Sequence, residues 1–246
     1  MDRLVYVAMS GAKETLRAQA ANNHNLANAS TTGFRADLSA FQSRAVQGAG
    51  EASRIYATNS SVGWDATNGQ LQQTGRDLDV AINGSGWIAV QGSDGREAYS
   101  RAGDLRIDVD GTLKTGAGHA VLGDGGPLVV PPNASLTVAG DGSVSIVPLG
   151  QSATTVATVG RIKLVNPDAN AMSRGSDGLF RMKDGSDAPA DAGVHIVSGA
   201  VETSNVNVAE AMTQMIELAR RYELQVKAIR TAEEDAASGT RLLQGG

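Results

Sequence analysis

Both ends of the chain carry apolar residues at the three- and four-residue spacing of one helix face. The N-terminal pattern runs from Leu4 to about Asn28, and the C-terminal pattern lies within residues 201–246. At about 1.5 Å per residue, these helices would be roughly 40 and 55 Å long, longer than a small domain is wide. Their apolar faces must therefore be covered by one another or by neighbouring molecules.

The alternating steps of three and four residues are typical of a coiled coil, so we expect the two ends to pair. The expected N-terminal face comprises Val5, Met9, Ala12, Leu16, Gln19, Asn23 and Leu26. The expected C-terminal face comprises Met212, Met215, Ala219, Tyr222, Val226, Ile229, Glu233, Ala236, Thr240 and Leu243. Polar residues in such faces weaken an isolated helix pair but favour one register over its alternatives. We therefore expect termini that are weakly ordered in the free chain and become ordered on assembly.

A second explanation of the helical ends remains open. The two helices would then be an ordinary appendage that packs against the β region of the same chain, with Met212 and Met215 in its core. The length of the helices and their shared spacing favour pairing and contact with neighbouring chains.

The middle of the chain consists of two segments that differ in composition and periodicity. Residues 33–77 have no periodicity and are rich in Ser, Gly, Asn, Gln and Ala, which indicates an extended connector. Residues 78–200 consist of short alternating or apolar runs, which indicate an antiparallel meander that forms a sandwich or a partly open barrel. Asp-Gly turn signals begin at Asp94, Asp110, Asp124 and Asp141. The predicted fold is a mainly β globular domain plus a discontinuous α-helical coiled-coil domain made from both termini, with boundaries 1–32, 33–77, 78–200 and 201–246.

Composition excludes several classes of function. The chain has no cysteine, which excludes disulfides, thiolate catalysis and Cys-ligated zinc. The net charge is −5 and the Lys and Arg residues are not clustered, so we expect no nucleic-acid binding. We expect no membrane insertion, because no apolar run approaches the length of a membrane span. The N-terminus also lacks the pattern of a secretory signal, so export would need another route.

The sequence offers no pattern for catalysis, a cofactor or a metal. His24, His119 and His195 do not have metal-ligand spacing. The stretch "RIDVDGTLKTGA" approaches a calcium loop, but Arg106 falls at the first ligand position and Ala117 at the last. The stretch "NGSGW" lacks the third Gly and the following helix of a dinucleotide site. We therefore expect a protein that is not an enzyme and that binds no cofactor or metal.

A cluster of asparagines ends the N-terminal helix, at Asn22, Asn23, Asn25 and Asn28. Together they cost a helix about 2–3 kcal/mol relative to alanine. Hydrogen bonds from the amides to the partner helix and to adjacent subunits would offset that cost. The alternative is local capping by residues 30–32, and under both explanations we expect Gly33 to end the helix in a left-handed conformation with Phe34 packed after it.

Three stretches in fixed order resemble the flagellar rod and hook proteins. They are "MDRLVYVAMSGA" with "NNHNLANASTTGFRADL", the β block from "DLDVAINGSGW" to "GPLVVPP", and "SNVNVAEAMTQMIELARRYELQVKAI". The signature turn of the family falls on Thr31, Thr32, Gly33 and Phe34. His24 departs from the small residue that relatives carry more often. The opening stretch and the length are most similar to the proximal rod members of the family.

The resemblance implies a structural subunit of the bacterial flagellar basal-body proximal rod. Family members are exported unfolded by the flagellar type III export apparatus, without a cleaved signal peptide. Their terminal helices pair in an inner tube around the export channel of the periplasm-spanning rod, which transmits torque. The implied partners are copies of the chain itself and homologous proximal and distal rod proteins.

Three alternatives to a proximal rod subunit are open. The chain could be a distal rod or hook subunit of the same family. It could be a periplasmic enzyme that acts on peptidoglycan, motivated by the cell wall that the rod crosses and by acidic residues such as Asp108 and Asp110. Such an enzyme needs a paired acid and base in a cleft. A glycan-binding module would need exposed aromatic residues, and the chain contains only two tryptophans, Trp64 and Trp87.

Overall fold

The computed structural model describes residues 2–45, 55–151 and 155–244. Two long helices, α1 (Asp2–Ala27) and α2 (Val208–Gln244), lie at the ends of the chain. Between them the described residues form strands β1 to β18 and a single 3-10 turn at Ala169–Ala171. In chain order the strands are Asp37–Ala45, Ile55–Trp64, Leu71–Gln73, Val80–Asn83, Trp87–Gln91, Glu97–Ser100, Leu105–Ile107, Leu113–Thr115, Leu122–Gly123, Gly126–Pro127, Asn133–Val138, Ser143–Pro148, Ala157–Arg161, Leu164–Val165, Met172–Arg174, Phe180–Met182, His195–Ser198 and Ala200–Glu202.

The chain divides into two compact units. The helical unit consists of Met1–Ala29, Ala36–Asp65 and Val206–Gly246. The β unit consists of Ser30–Arg35 and Ala66–Asn205.

The helical unit contains a hairpin where the sequence predicts an extended connector. Strands β1 and β2 pair antiparallel, with Asp37 opposite Trp64 and Ala45 opposite Ile55, and α1 contacts β2. The predicted connector also contains β3, which pairs with β18 in the β unit, while its residues 46–54 lie outside the described ranges. These strands contain many Ser, Asn and Gln residues, so they lack the alternation of apolar residues by which a half-buried strand is recognised.

The β unit is a set of small antiparallel sheets. The largest has five strands in the order β14-β5-β6-β16-β15, and another has three in the order β11-β12-β13. Each of the four predicted Asp-Gly turns joins two strands that pair with each other. The prediction of a mainly β domain is confirmed. Most of the described strands are only two to six residues long; they form small sheets and close no barrel.

The core of the β unit is built mainly from Val, Ile and Leu. It includes Val80, Ile82, Ile88, Val90, Leu105, Leu113, Val121, Val144 and Ile146, all buried. Burying such a side chain contributes about 1.5–3 kcal/mol, so this cluster is the main source of stability in the unit.

Neither described helix has a stretch long and apolar enough to cross a membrane. Within the described ranges, no three His, Asp or Glu side chains lie close enough together to hold a metal ion.

Candidate functional site

The two terminal helices lie against each other in antiparallel orientation. Near the end of α1, Nδ2 of Asn22 donates to the carbonyl oxygen of Ala211 near the start of α2, at 2.7 Å. Closer to the start of α1, Oγ1 of Thr15 lies 3.1 Å from Oε1 of Gln225, further along α2. Both contacts lie within the helical unit.

The face that α1 turns towards α2 is smaller and more polar than the sequence predicts. Thr15, Ala18 and Asn22 are buried, whereas Met9 and Leu16 are 52% and 48% exposed. The other predicted positions are divided: Ala12 is buried, Val5 and Leu26 are partly buried, and Asn23 is exposed. Apolar spacing locates the most hydrophobic stripe of a helix, but it does not say which stripe a partner helix covers.

On α2 two buried residues each come one position before a predicted residue: Ala211 precedes Met212, and Leu218 precedes Ala219. The buried residues are Ala211, Leu218 and Ala232. The predicted residues Met215, Tyr222 and Ile229 lie between them and are partly buried, as are Ala219, Val226 and Gln225, whereas Met212 is 48% exposed. From Ala211 to Ala232 the covered positions therefore follow steps of four and three residues, which is the spacing of a coiled coil.

Both helices present apolar residues on the sides that their partner helix leaves uncovered. We call these the outer helix faces; they comprise Tyr6, Met9 and Leu16 on α1 and Val208, Met212, Ile216 and Leu224 on α2. Soluble monomers rarely expose contiguous apolar stripes, and those that do use them for binding. These faces are the candidate assembly site.

The side chains of Asn22, Asn25 and Asn28 form hydrogen bonds within the chain. The Asn25 amide pairs with the backbone of Asp37, donating to its carbonyl oxygen at 2.9 Å and accepting from its N–H at 2.8 Å. Nδ2 of Asn28 donates to the carbonyl oxygen of His24 at 2.9 Å, and Nδ1 of His24 lies 2.7 Å from Oδ2 of Asp37. Asn22 thus bonds to α2, while Asn25 fixes the end of α1 to the start of β1.

The signature turn is anchored in the β unit. Gly33 has the expected left-handed conformation, with φ of 67°. It does not end α1, which stops at Ala27; instead its N–H donates to the carbonyl oxygen of Glu202 at 2.8 Å. A Cβ at Gly33 would lie 2.2 Å from the carbonyl carbon of Arg101, so only glycine fits.

The other signature residues surround this anchor. Thr31 is exposed and its carbonyl oxygen accepts from the N–H of Phe34 at 3.3 Å, while Thr32 is partly buried. Phe34 is buried, and the guanidinium of Arg174 lies 4.4 Å from the centre of its ring. Phe34 therefore packs after Gly33, as the sequence predicts.

Directly after the signature turn, three charged side chains are almost completely buried together. Arg35, Arg101 and Glu202, which we call the buried charge cluster, are each at most 4% exposed. Oε1 of Glu202 forms an ion pair with Nη1 of Arg35 at 2.7 Å, and its Oε2 accepts from Nη1 of Arg101 at 2.8 Å. The Gly69 N–H also donates to Oε1, at 2.7 Å.

One carboxylate in this cluster faces two guanidinium groups, so the cluster has a formal excess of one positive charge. Both guanidinium groups lie over Trp87, 5.9 Å (Arg35) and 5.5 Å (Arg101) from its ring, where cation–π attraction offsets part of that excess. Burial lowers the pKa of Arg101, and the Glu202 carboxylate opposes that shift.

The buried charge cluster joins the segment that follows α1 to the segment that precedes α2. Gly33 and Arg35 belong to the first segment, and Glu202 belongs to the second; both segments lie in the β unit. The N–H of Asn205 also donates to the carbonyl oxygen of Phe34 at 3.2 Å. The cluster thus fixes where the residues that follow α1 and precede α2 lie in this unit. The sequence gives no sign of it, because neither Arg35 nor Glu202 belongs to a periodic pattern.

A pair of acidic residues, Asp79 and Asp104, lies at the edge of the β unit core, and we expect Asp104 to make the stability of this unit depend on pH. Asp79 and Asp104 face each other in a β-bridge. Asp79 is buried; Arg76 lies 3.6 Å from its Oδ1, which accepts no hydrogen bond from the described residues. Burial, with a smaller contribution from the charge of Asp79, raises the pKa of Asp104.

We therefore expect Asp104→Asn to stabilise the protein at pH 7. The folded state binds the Asp104 proton more tightly than the unfolded state does. The stabilisation that comes from this proton is therefore complete below the unfolded pKa of about 3.9, and it is lost as pH rises through the folded pKa. Thermal unfolding should show a midpoint a few degrees higher for the variant at pH 7, with the difference disappearing near pH 3. Asp110→Asn is the control, and it should lower the unfolding midpoint at pH 7, because a hydrogen bond from the Thr112 N–H lowers the pKa of Asp110. A destabilised Asp104→Asn at pH 7 would contradict this account.

The acidic residues that motivated an enzyme do not form an acid–base pair. Asp108 binds Lys114, and Oδ1 of Asp110 accepts from the N–H of Thr112 at 3.2 Å. These contacts lower the pKa of both carboxyl groups, whereas a general acid needs a raised pKa.

Two family models match separate stretches of the chain. Residues 197–242 match the model of the flagellar basal body rod FlgEFG protein C-terminal family, and residues 81–146 match that of the flagellar hook protein FlgE/F/G D1 domain. The chain is 45% identical to flagellar basal-body rod protein FlgF of Salmonella typhimurium and 43% identical to FlgF of Escherichia coli K12, over 99% of each chain.

The relationship extends to another rod protein. Flagellar basal-body rod protein FlgG of Bacillus subtilis is 31% identical, over 95% of this chain and 96% of its own. The identities to FlgF of S. typhimurium and of E. coli are higher than this one. The chain belongs to the FlgF family of flagellar basal-body rod proteins.

Proposed function

We propose that this chain is a structural subunit of the flagellar basal-body proximal rod, which assembles through its terminal helices. The observation that carries the proposal is the full-length similarity to FlgF, together with apolar outer faces on both helices. A rod subunit needs surfaces that stay exposed in one chain and become buried in the assembly.

The two helices form an antiparallel coiled coil in the assembled rod. The four-and-three spacing of the covered positions on α2 and the contacts of Asn22 and Thr15 with α2 support this arrangement. The partners on the outer faces are other copies of the chain and homologous proximal and distal rod proteins. The axial part comprises α1 (Asp2–Ala27) and α2 (Val208–Gln244), which form the inner tube of the rod.

The rod spans the periplasm, and the flagellar type III export apparatus delivers the subunit unfolded and without a cleaved signal peptide. The subunit transmits torque by packing and carries out no reaction. The alternative of a distal rod subunit is disfavoured by the lower identity to FlgG than to FlgF. A peptidoglycan enzyme is disfavoured by the lowered pKa of Asp108 and of Asp110.

Deletions that respect the unit boundaries test this function. Removal of residues 2–29 or 207–246 retains the signature turn and the buried charge cluster in the β unit. With Trp64 replaced by Phe, so that Trp87 is the one fluorescent tryptophan, we expect each truncated chain to retain the fluorescence of buried Trp87 and to be absent from purified basal bodies. Normal incorporation of either truncated chain into rods would contradict the proposal.

A further inference from the structure

The contact between the terminal helices depends on small and polar side chains of α1. A Cβ at Gly11 would lie 2.9 Å from Nε2, the flexible end of the Gln225 side chain of α2, and 3.9 Å from Cγ of the same side chain. Thr15, Ala18 and Asn22 follow at heptad-like spacing and are buried. Such a surface permits close approach, but its small side chains interlock less than large ones do, so they do little to fix the axial position of one helix along the other.

A heptad pattern permits a specific error. If α1 slips by seven residues along α2, about 10.5 Å, the same stripes still face each other. Apolar and small residues lose little in the slipped arrangement. A buried amide loses more, because the acceptor that it uses in the native register is no longer opposite it.

Of the two contacts described above, Thr15 with Gln225 and Asn22 with Ala211, only that of Asn22 depends strongly on register. Oγ1 of Thr15 also lies 2.9 Å from the carbonyl oxygen of Gly11 in its own helix, so Thr15 remains hydrogen-bonded after a slip. The long side chain of Gln225 can follow a displaced partner. The short side chain of buried Asn22 reaches a backbone oxygen of α2, the carbonyl of Ala211, at 2.7 Å.

We infer that Asn22 is the positioning residue that sets the axial register of α1 against α2. The register decides which residues of the two outer helix faces stand side by side. It therefore sets the pattern that a neighbouring subunit meets. This consequence rests on the proposed function, whereas the register itself is a property of the single chain.

Cysteine cross-linking measures the register directly. The chain has no cysteine, so two introduced residues can form only one intramolecular pair. Gly11→Cys with Gln225→Cys reports the native register, because these positions are in contact. Gly11→Cys with Ala232→Cys reports a slip of one heptad, since a disulfide needs Cα atoms within about 7 Å.

We expect rapid oxidation of the 11/225 pair and little of the 11/232 pair in dilute, monomeric protein. Adding Asn22→Leu should lower the ratio of the two cross-linking yields by about five- to a hundredfold, the equilibrium effect of one buried hydrogen bond. Asn23→Leu is the matched control: it makes the same change at the adjacent, exposed position and should leave the ratio unaltered.

An unchanged ratio in Asn22→Leu would overturn the inference, as would equal yields from both pairs before Asn22 is altered. If circular dichroism shows that Asn22→Leu is unfolded, Asn22→Ala with the same two pairs decides. Incorporation into rods is measured separately. A chain that has the expected ratios but never enters a rod would refute the proposed function and leave the register assignment intact.

Discussion

Replacing Glu202 by Gln is expected to lower the free energy of unfolding of the β unit by about 3–5 kcal/mol, which is the cost of breaking a buried ion pair from one side. The substitution retains the shape of the side chain but leaves Arg35 and Arg101 without their shared carboxylate. A domain is typically stable by about 5–15 kcal/mol, so the loss is a large fraction of the total. Urea unfolding followed by the fluorescence of Trp87, with Trp64 replaced by Phe, would measure it.

Two further variants show whether buried charge is the cause. Glu217→Gln on α2 is the matched control, because its partner Arg221 is 3.9 Å away and both side chains are more than half exposed. It should change stability by no more than about 0.5 kcal/mol. Combining Glu202→Leu with Arg35→Met and Arg101→Met should recover most of the stability lost in Glu202→Gln. If Glu202→Gln and Glu217→Gln have equal effects, the role assigned to the buried charge cluster is wrong.

The broad architecture follows from sequence because it rests on local spacing. The long stripes at both ends predict α1 and α2, and the Asp-Gly pairs predict hairpins in the β unit. The hairpin of β1 and β2 could not be found in this way, since its strands are rich in polar residues and lack alternation.

The candidate site was predicted less completely. Spacing alone predicts Met9 and Leu16 against α2, although Thr15 and Asn22 contact α2 instead. A hydrophobic pattern identifies the most hydrophobic stripe of a helix, whereas the close approach of two helices favours small side chains at their contact. The buried charge cluster was missed because it joins residues that are far apart in sequence, and a charged residue gives no sign of burial in a single sequence.

Replacing Met9 and Leu16 together by Glu is expected to abolish incorporation into the rod. Both side chains are about half exposed in the single chain, and glutamate is a good helix former, so the stability of the chain should change by about 0.5 kcal/mol or less at each site. In the assembly these faces are proposed to be buried. An unpaired carboxylate there costs several kcal/mol, enough to prevent association.

The same two positions provide the control. Met9→Leu with Leu16→Met exchanges the side chains and keeps the outer helix face of α1 apolar, with nearly equal volume. This variant should assemble like the unchanged chain. Circular dichroism and thermal unfolding of all three proteins would verify that each is folded to the same extent.

The most direct test of the central claim measures the amount of this chain in purified basal bodies. The cells contain no other FlgF-family protein, and the amount is normalised to the amount of the chain that reaches the periplasm. The unchanged chain and the Met9→Leu, Leu16→Met variant should be present in the rod at equal levels, and the Met9→Glu, Leu16→Glu variant should be exported but absent. Full incorporation of the double-Glu variant would show that the terminal helices do not assemble through these faces.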